Sequence, residues 1–135
     1  MEPLELTILI ADDWPDAAQS LGQLLGLNGH TVHLACDGEE ALEKAKRFKP
    51  DVALLDVAMP KITGLDVARI LSDQGDKKPL LIALSGFSSE EDKAKAYKAG
   101  FDHFFAKPMN PDDLLHILEE TENYLFISKR ELIGV

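Results

Sequence analysis

Apolar positions along this chain follow two rhythms: short solid runs, and longer stretches where apolar residues return every three or four positions. The runs are Leu6 to Ala11, Thr31 to Ala35, Val52 to Leu55, Leu80 to Leu84 and His103 to Ala106. Apolar runs this short, bounded by turn formers, predict strands buried on both faces, as in a parallel sheet. Between the runs the period changes to that of a helix. Pro15 and Asp16 suit a helix start, and Ala18, Leu21, Leu24, Leu25 and Leu27 continue it to Asn28-Gly29. Asp37 with Glu40 heads a second helix through Ala41, Leu42, Ala45 and Phe48. Gly64 to about Leu71 forms a short third, with Leu65, Ala68 and Leu71 in phase. Ser88 with Glu91 predicts a capping box for a fourth, running to Gly100. Asn110-Pro111-Asp112 opens a last helix on Leu114, Leu115, Ile117 and Leu118.

Five strands alternating with helices predict an α/β fold, a five-stranded parallel sheet covered on both faces by right-handed crossovers. Most of the strands end on a reactive side chain. The first runs into Asp12-Asp13, the third into Asp56, the fourth into Ser85 and the fifth into Lys107. In a parallel sheet all these exits share one edge, where ligands of open α/β sheets bind. A single Asp there could be a turn former; four polar exits on one edge are not accounted for that way.

Length and charge narrow the class further. The 135 residues suit one domain with its own core, read as 1–122, and a tail, 123–135. With 45% hydrophobic and 28% charged residues the composition is that of a globular protein, and no apolar run approaches the roughly 20 residues of a membrane helix. The acidic start, Met1 to Glu5, is unlike a signal peptide, so a cytoplasmic protein without membrane insertion is expected. A formal charge of −10 disfavours direct nucleic-acid binding and favours protein partners. Cys36, the one cysteine, is expected to be a buried or half-buried spectator. The four histidines have no metal-ligand spacing and read as surface or strand histidines, so no zinc site is expected.

Converging carboxylates repel one another, and a divalent cation relieves that repulsion. Oxygen ligands with open water positions suit Mg2+, which bridges readily to phosphate. A hydroxyl and an ammonium nearby satisfy the remaining oxygens of a phosphoryl group, and Asp is a competent nucleophile toward phosphorus. The residues thus describe an Asp that accepts phosphate with Mg2+ as cofactor.

From about Leu6 to Glu120 the chain resembles the receiver domain of two-component response regulators, of the single-domain type. The resemblance is carried by Ile8-Leu9-Ile10-Ala11-Asp12-Asp13, Leu54-Leu55-Asp56-Val57-Ala58-Met59-Pro60, Ala83-Leu84-Ser85-Gly86 and Phe104-Phe105-Ala106-Lys107-Pro108. It implies a flavodoxin-like sheet of order 2-1-3-4-5 and a signalling domain, not an enzyme beyond assisting its own phosphorylation and dephosphorylation. It implies that Asp56 takes the phosphoryl group from a histidine kinase or histidine phosphotransfer protein. Asp13, Asp56 and the Ala58 carbonyl would bind Mg2+, with Asp12 holding it through water; Lys107 would pair with the phosphoryl oxygens. Ser85 and Phe104 would form the switch, and a downstream protein would meet the face of helix 4, strand 5 and helix 5. The Lys107-Pro108 bond would be cis.

Ser85 stands where Thr is usual and Phe104 where Tyr is frequent, so a readout by packing alone is expected. Alternatives are a phosphorylation-independent adaptor on the same fold or an Asp-nucleophile phosphatase. Against the phosphatase, the chain has Asp12-Asp13-Trp14 where Asp-x-Asp would be expected. A flavin carrier would need an anion cradle where two carboxylates stand. Lys93, Lys95 and Lys98 read as a solvated helix face. The tail is more apolar than a disordered terminus, with Tyr124, Leu125, Phe126, Ile127, Leu132 and Ile133, so it packs on the domain or docks on a partner.

Overall fold

The structure, a computed structural model, describes residues 5–75 and 78–132, with side chains through Glu122. Its elements are β1 (Thr7–Ala11), α1 (Pro15–Leu27), β2 (Thr31–Ala35), α2 (Gly38–Phe48) and β3 (Val52–Asp56), followed by α3 (Gly64–Ser72), β4 (Leu80–Ser85), α4 (Glu90–Ala99), β5 (His103–Ala106) and α5 (Pro111–Leu132). All strand pairs are parallel, in the order β2-β1-β3-β4-β5. The strand order expected from the resemblance is therefore observed. Alternation along the strands separates two cores. Leu9, Ala11, Ala53, Leu55, Leu81 and Ala83 face α2, α3 and α4, while Ile8, Ile10, Val52, Leu54, Ile82 and Leu84 face α1 and α5.

The chain leaves β1 toward one side for β2 and returns to the other for β3, so the β1/β3 boundary is the switch point of the topology. Ala11 lies opposite Leu55 there, which sets Asp12 beside Asp56. Two glycines hold the loop after Asp56 in place. A Cβ on Gly64 would stand 2.2 Å from the Asp56 carbonyl oxygen, and one on Gly38 would stand 2.0 Å from that of Ile62. The first turns of α3 and α2 therefore rest directly on backbone. Lys61, in the left-handed region at φ 68, spans from that loop to Asp37 (3.8 Å) and Glu39 (3.5 Å) at the start of α2.

At the opposite edge of the sheet, side chains take up strand N–H groups. The Leu6 N–H donates to His30 Nδ1 (3.2 Å), the Thr7 N–H to Asp51 Oδ2 (2.9 Å) and the Leu81 N–H to Asp102 Oδ2 (2.9 Å). Burial of these donors without partners would be costly.

Three expectations need correction. The fourth helix is capped by Ser89 and Asp92, not by Ser88 and Glu91: the Asp92 carboxylate accepts the Ser89 N–H (3.1 Å) and hydroxyl (2.7 Å) while Ser89 Oγ accepts the Asp92 N–H. Both pairs have the right spacing, and the shorter acid closes the box. Cys36 is exposed rather than buried, its thiol donating to Glu40 Oε2 at 3.3 Å; that carboxylate, by hydrogen bond and charge, pushes the thiol pKa up. His30 is a buried loop residue rather than a surface or strand histidine. Helix α5 continues as backbone to Leu132; the packing of the tail's apolar side chains, and residues 133–135, lie outside what is described.

Because the atoms facing Gly64 are backbone, Gly64→Ala should destabilise the domain by about 1–3 kcal/mol, the range for overpacking a filled site. Urea unfolding measures it, and an unchanged midpoint would mean that the loop yields freely.

Candidate functional site

The site lies where β1, β3, β4 and β5 deliver their last residues to one edge. Ligand oxygens of Asp12, Asp13 and Asp56 come within 4.8 Å of one another. Asp12 and Asp56 are buried, with 3% and 5% of their surface exposed, whereas Asp13 is open to solvent. Each buried carboxylate is fixed by its own turn. Asp12 Oδ1 accepts the Trp14 N–H (2.9 Å), and Asp56 Oδ1 accepts the Ala58 N–H (3.1 Å). Their second oxygens converge on one cation: Lys107 Nζ donates to Asp12 Oδ2 at 3.1 Å and to Asp56 Oδ2 at 3.0 Å.

The pairing of β4 with β5 brings Lys107 in. Ser85 lies opposite Ala106, and the Lys107 N–H donates to the Ser85 carbonyl (2.8 Å). The Lys107-Pro108 bond is cis. Buried Ser85 accepts the Phe87 N–H on its Oγ at 3.0 Å. Phe104 is half-buried against the core shared with α2, α3 and α4, while Phe105 turns to the opposite core. Asp12, Asp56 and Lys107 thus form one contact set, with Asp13 within 4.8 Å of the two carboxylates and Ser85 on the adjoining strand exit. Trp14 is 66% exposed beside the acidic pair. Sequence inspection passed over Lys61, whose φ of 68 carries no residue-level signal in a lysine.

Electrostatics follow from the depth of burial. Desolvation raises the Asp56 pKa above the ordinary carboxylate value, and Asp12 adds to the rise; the bonds from Lys107 and the Ala58 N–H offset only part of it. At Lys107, a third of whose side chain is exposed, burial works against the charge, but hydrogen bonds to Asp56 and Asp12 outweigh it and raise the pKa. An all-oxygen donor set with an excess of carboxylate over ammonium fits a hard divalent cation.

What the fold and edge define is a doubly wound α/β domain with a buried acidic pocket closed by one lysine. The family model of the response regulator receiver domain matches residues 8–119, and the chain belongs to that family. Response regulator MprA of Mycobacterium ulcerans is 39% identical over 112 residues, covering 83% of this chain and 48% of that protein. Its counterpart in Mycobacterium leprae is 40% identical over 110 residues, again covering 48% of the relative. The chain therefore spans about half the length of these relatives. Among solved structures, the Francisella response regulator 1452 receiver domain superposes with a TM-score of 0.82 at 30% identity, covering 90% of this chain and 99% of that one. The chemotaxis protein CheY4 of Vibrio cholerae does so at 0.80 and 31%, covering 87% and 99%. Phosphoacceptor signalling is accordingly the role of this domain, and among the described residues no helix is long and apolar enough to cross a membrane.

The raised Asp56 pKa has a sign that can be checked. A carboxyl whose folded pKa exceeds its unfolded one weakens the fold when ionised, so stability falls as pH rises through that window. In metal-free buffer Asp56→Asn should raise the melting temperature at neutral pH, since Lys107 retains Asp12. That advantage should fade as pH falls below the ordinary carboxylate range. A melting temperature lowered by the substitution at neutral pH would show that the bond from Lys107, not burial, dominates.

Proposed function

We propose that Asp56 is the phosphoacceptor, taking the phosphoryl group from the phosphohistidine of a histidine kinase or phosphotransfer protein. The observation that carries this reading is Lys107 Nζ seated between Asp12 and Asp56 at the switch point of the sheet. A carboxylate oxygen of Asp56 forms the new P–O bond as the P–N bond breaks. The imidazole leaves with the electron pair, and the product is an acyl phosphate. Lys107 turns from the carboxylates to the arriving phosphoryl oxygens, a charge-assisted contact. Ser85 releases the Phe87 N–H to donate its hydroxyl to the phosphoryl group, and Phe104 repacks with it as the switch.

Asp13, Asp56 and the Ala58 carbonyl would hold Mg2+, with Asp12 acting through water; bound there, the cation neutralises charge on the phosphoryl oxygens. The output is a changed protein surface on α4, β5 and α5, or onward relay of the phosphate, in the cytoplasm. The domain assists only its own phosphorylation and dephosphorylation and has no other enzymatic activity. The adaptor alternative lacks a supporting observation, since each polar position of the site is filled.

Incubation with Mg2+ and acetyl phosphate should place one phosphate on Asp56, located by mass spectrometry, and Asp56→Asn should abolish it. Labelling that persists in the variant would sink the assignment. The lifetime of the phosphate should be long. Two residues beyond Asp56 and Ser85 stand Ala58 and Phe87, the latter 71% exposed, and neither can orient a water or accept its proton. Ala58→Asn with Phe87→Glu should shorten the lifetime about tenfold, less than the roughly 10²–10⁴-fold of a fully positioned general base. Equal decay in parent and double variant would show that these positions do not govern hydrolysis.

A further inference from the structure

The loop from Asp56 to α3 is fixed at its two ends by backbone and in its middle by side chains. At its start the Val57 N–H donates to the Leu84 carbonyl (3.0 Å), and at its end the Gly64 N–H donates back to the Val57 carbonyl (3.0 Å), with Thr63 capping α3. Among the described residues, Ala58 to Ile62 make no backbone-to-backbone hydrogen bond. What holds this middle stretch is Met59, which is buried, the Ile62 carbonyl packed on Gly38, and the side chain of Lys61. Lys61 has φ 68, a conformation that glycine adopts freely and a lysine adopts under strain. What the lysine adds is reach. Its Nζ lies 3.8 Å from Asp37 Oδ2 and 3.5 Å from Glu39 Oε2, and Asp37 is itself fixed, its Oδ1 accepting the Glu40 N–H (2.8 Å) as the N-cap of α2.

The segment that Lys61 grips also holds the other pocket carboxylate. Two residues before Asp37, the Ala35 carbonyl accepts the Asp12 N–H (3.0 Å); three residues before Lys61, the Ala58 N–H donates to Asp56 Oδ1 (3.1 Å). Lys107 joins Asp12 to Asp56 through their side chains, and Lys61 joins the two backbone segments that carry them. With Lys61 62% exposed, its ion pairs contribute little to the stability of the fold. Their effect is on placement. Mg2+ demands near-ideal octahedral geometry, so a loop that wanders takes the Ala58 carbonyl away from a position the ion can use. Charge and placement have opposite signs here. As a bare positive charge near an acidic pocket, Lys61 would weaken the binding of a second cation, whereas as a clamp it would strengthen it.

We propose that Lys61 is a positioning residue for the cation site: by gripping Asp37 and Glu39 it holds the Ala58 amide and carbonyl where the pocket needs them. The inference rests on the Mg2+ reading given above. Calorimetric titration of Mg2+ into the full chain compares the parent with Lys61→Asn, which tolerates the left-handed conformation but lacks charge and reach, and with Lys61→Arg, which keeps both. Lys61→Asn should bind Mg2+ about threefold more weakly, the size expected when exposed ion pairs alone are lost, with the melting temperature kept; Lys61→Arg should bind as the parent does. In metal-free buffer the Ala58 amide hydrogen should exchange faster in Lys61→Asn than in the parent or in Lys61→Arg. Equal or tighter Mg2+ binding by Lys61→Asn would mean that charge outweighs placement and would overturn the inference while leaving the metal site standing. The same weakening in Lys61→Arg, or an Ala58 exchange rate indifferent to Lys61→Asn, would overturn it too. A parent that binds no Mg2+ would overturn the metal reading and this inference with it.

Discussion

Two carboxylates forced side by side out of water are the constraint around which this domain is arranged. The register of β1 against β3 leaves no alternative, because Ala11 opposite Leu55 makes Asp12 and Asp56 neighbours at the moment both strands end. Their repulsion is tolerable only because β5 lies two strands away from β3 and ends in a lysine long enough to reach both. The sheet order is therefore part of the electrostatics.

Much of this was legible in the chain itself, for an identifiable reason. Solid apolar runs followed at once by Asp12, Asp56, Ser85 and Lys107 report both a buried strand and its chemical exit, so strands and candidate site come from one signal. Less local features were hidden. Ser88-x-x-Glu91 and Ser89-x-x-Asp92 satisfy the same capping pattern, and the choice depends on where the chain enters α4 after the site loop. His30 reads as a surface or strand histidine until the residue just before β1 and α5 supply the Leu6 N–H and Glu122 that enclose it. The roles of Gly38 and Gly64 could not be read either, since the atoms they make room for, the carbonyls of Ile62 and Asp56, belong to other parts of the fold.

The loop after Asp56 is where stability and chemistry meet. Its carbonyls support the starts of two helices, and Lys61 holds a strained backbone while joining the loop to Asp37 and Glu39. Such strain persists where the surroundings over-determine a conformation. The Ala58 N–H bonded to the Asp56 carboxylate belongs to this same rigid ring. The Asp56 carboxylate is thereby oriented by backbone on which the starts of two helices rest.

The side chains at the far edge of the sheet give the molecule a polarity of another kind. His30, Asp51 and Asp102 each accept an N–H at or next to the start of a strand, donors that would otherwise go unpaired. Those donors are satisfied from within the chain. The acceptors at that pole are engaged within the fold, while the carboxyl pole keeps Asp13 open to solvent beside its buried carboxylates. The domain thus closes its two poles differently: at one, two carboxylates are gathered around a single lysine, and at the other an imidazole and two carboxylates give their acceptor atoms to the backbone itself.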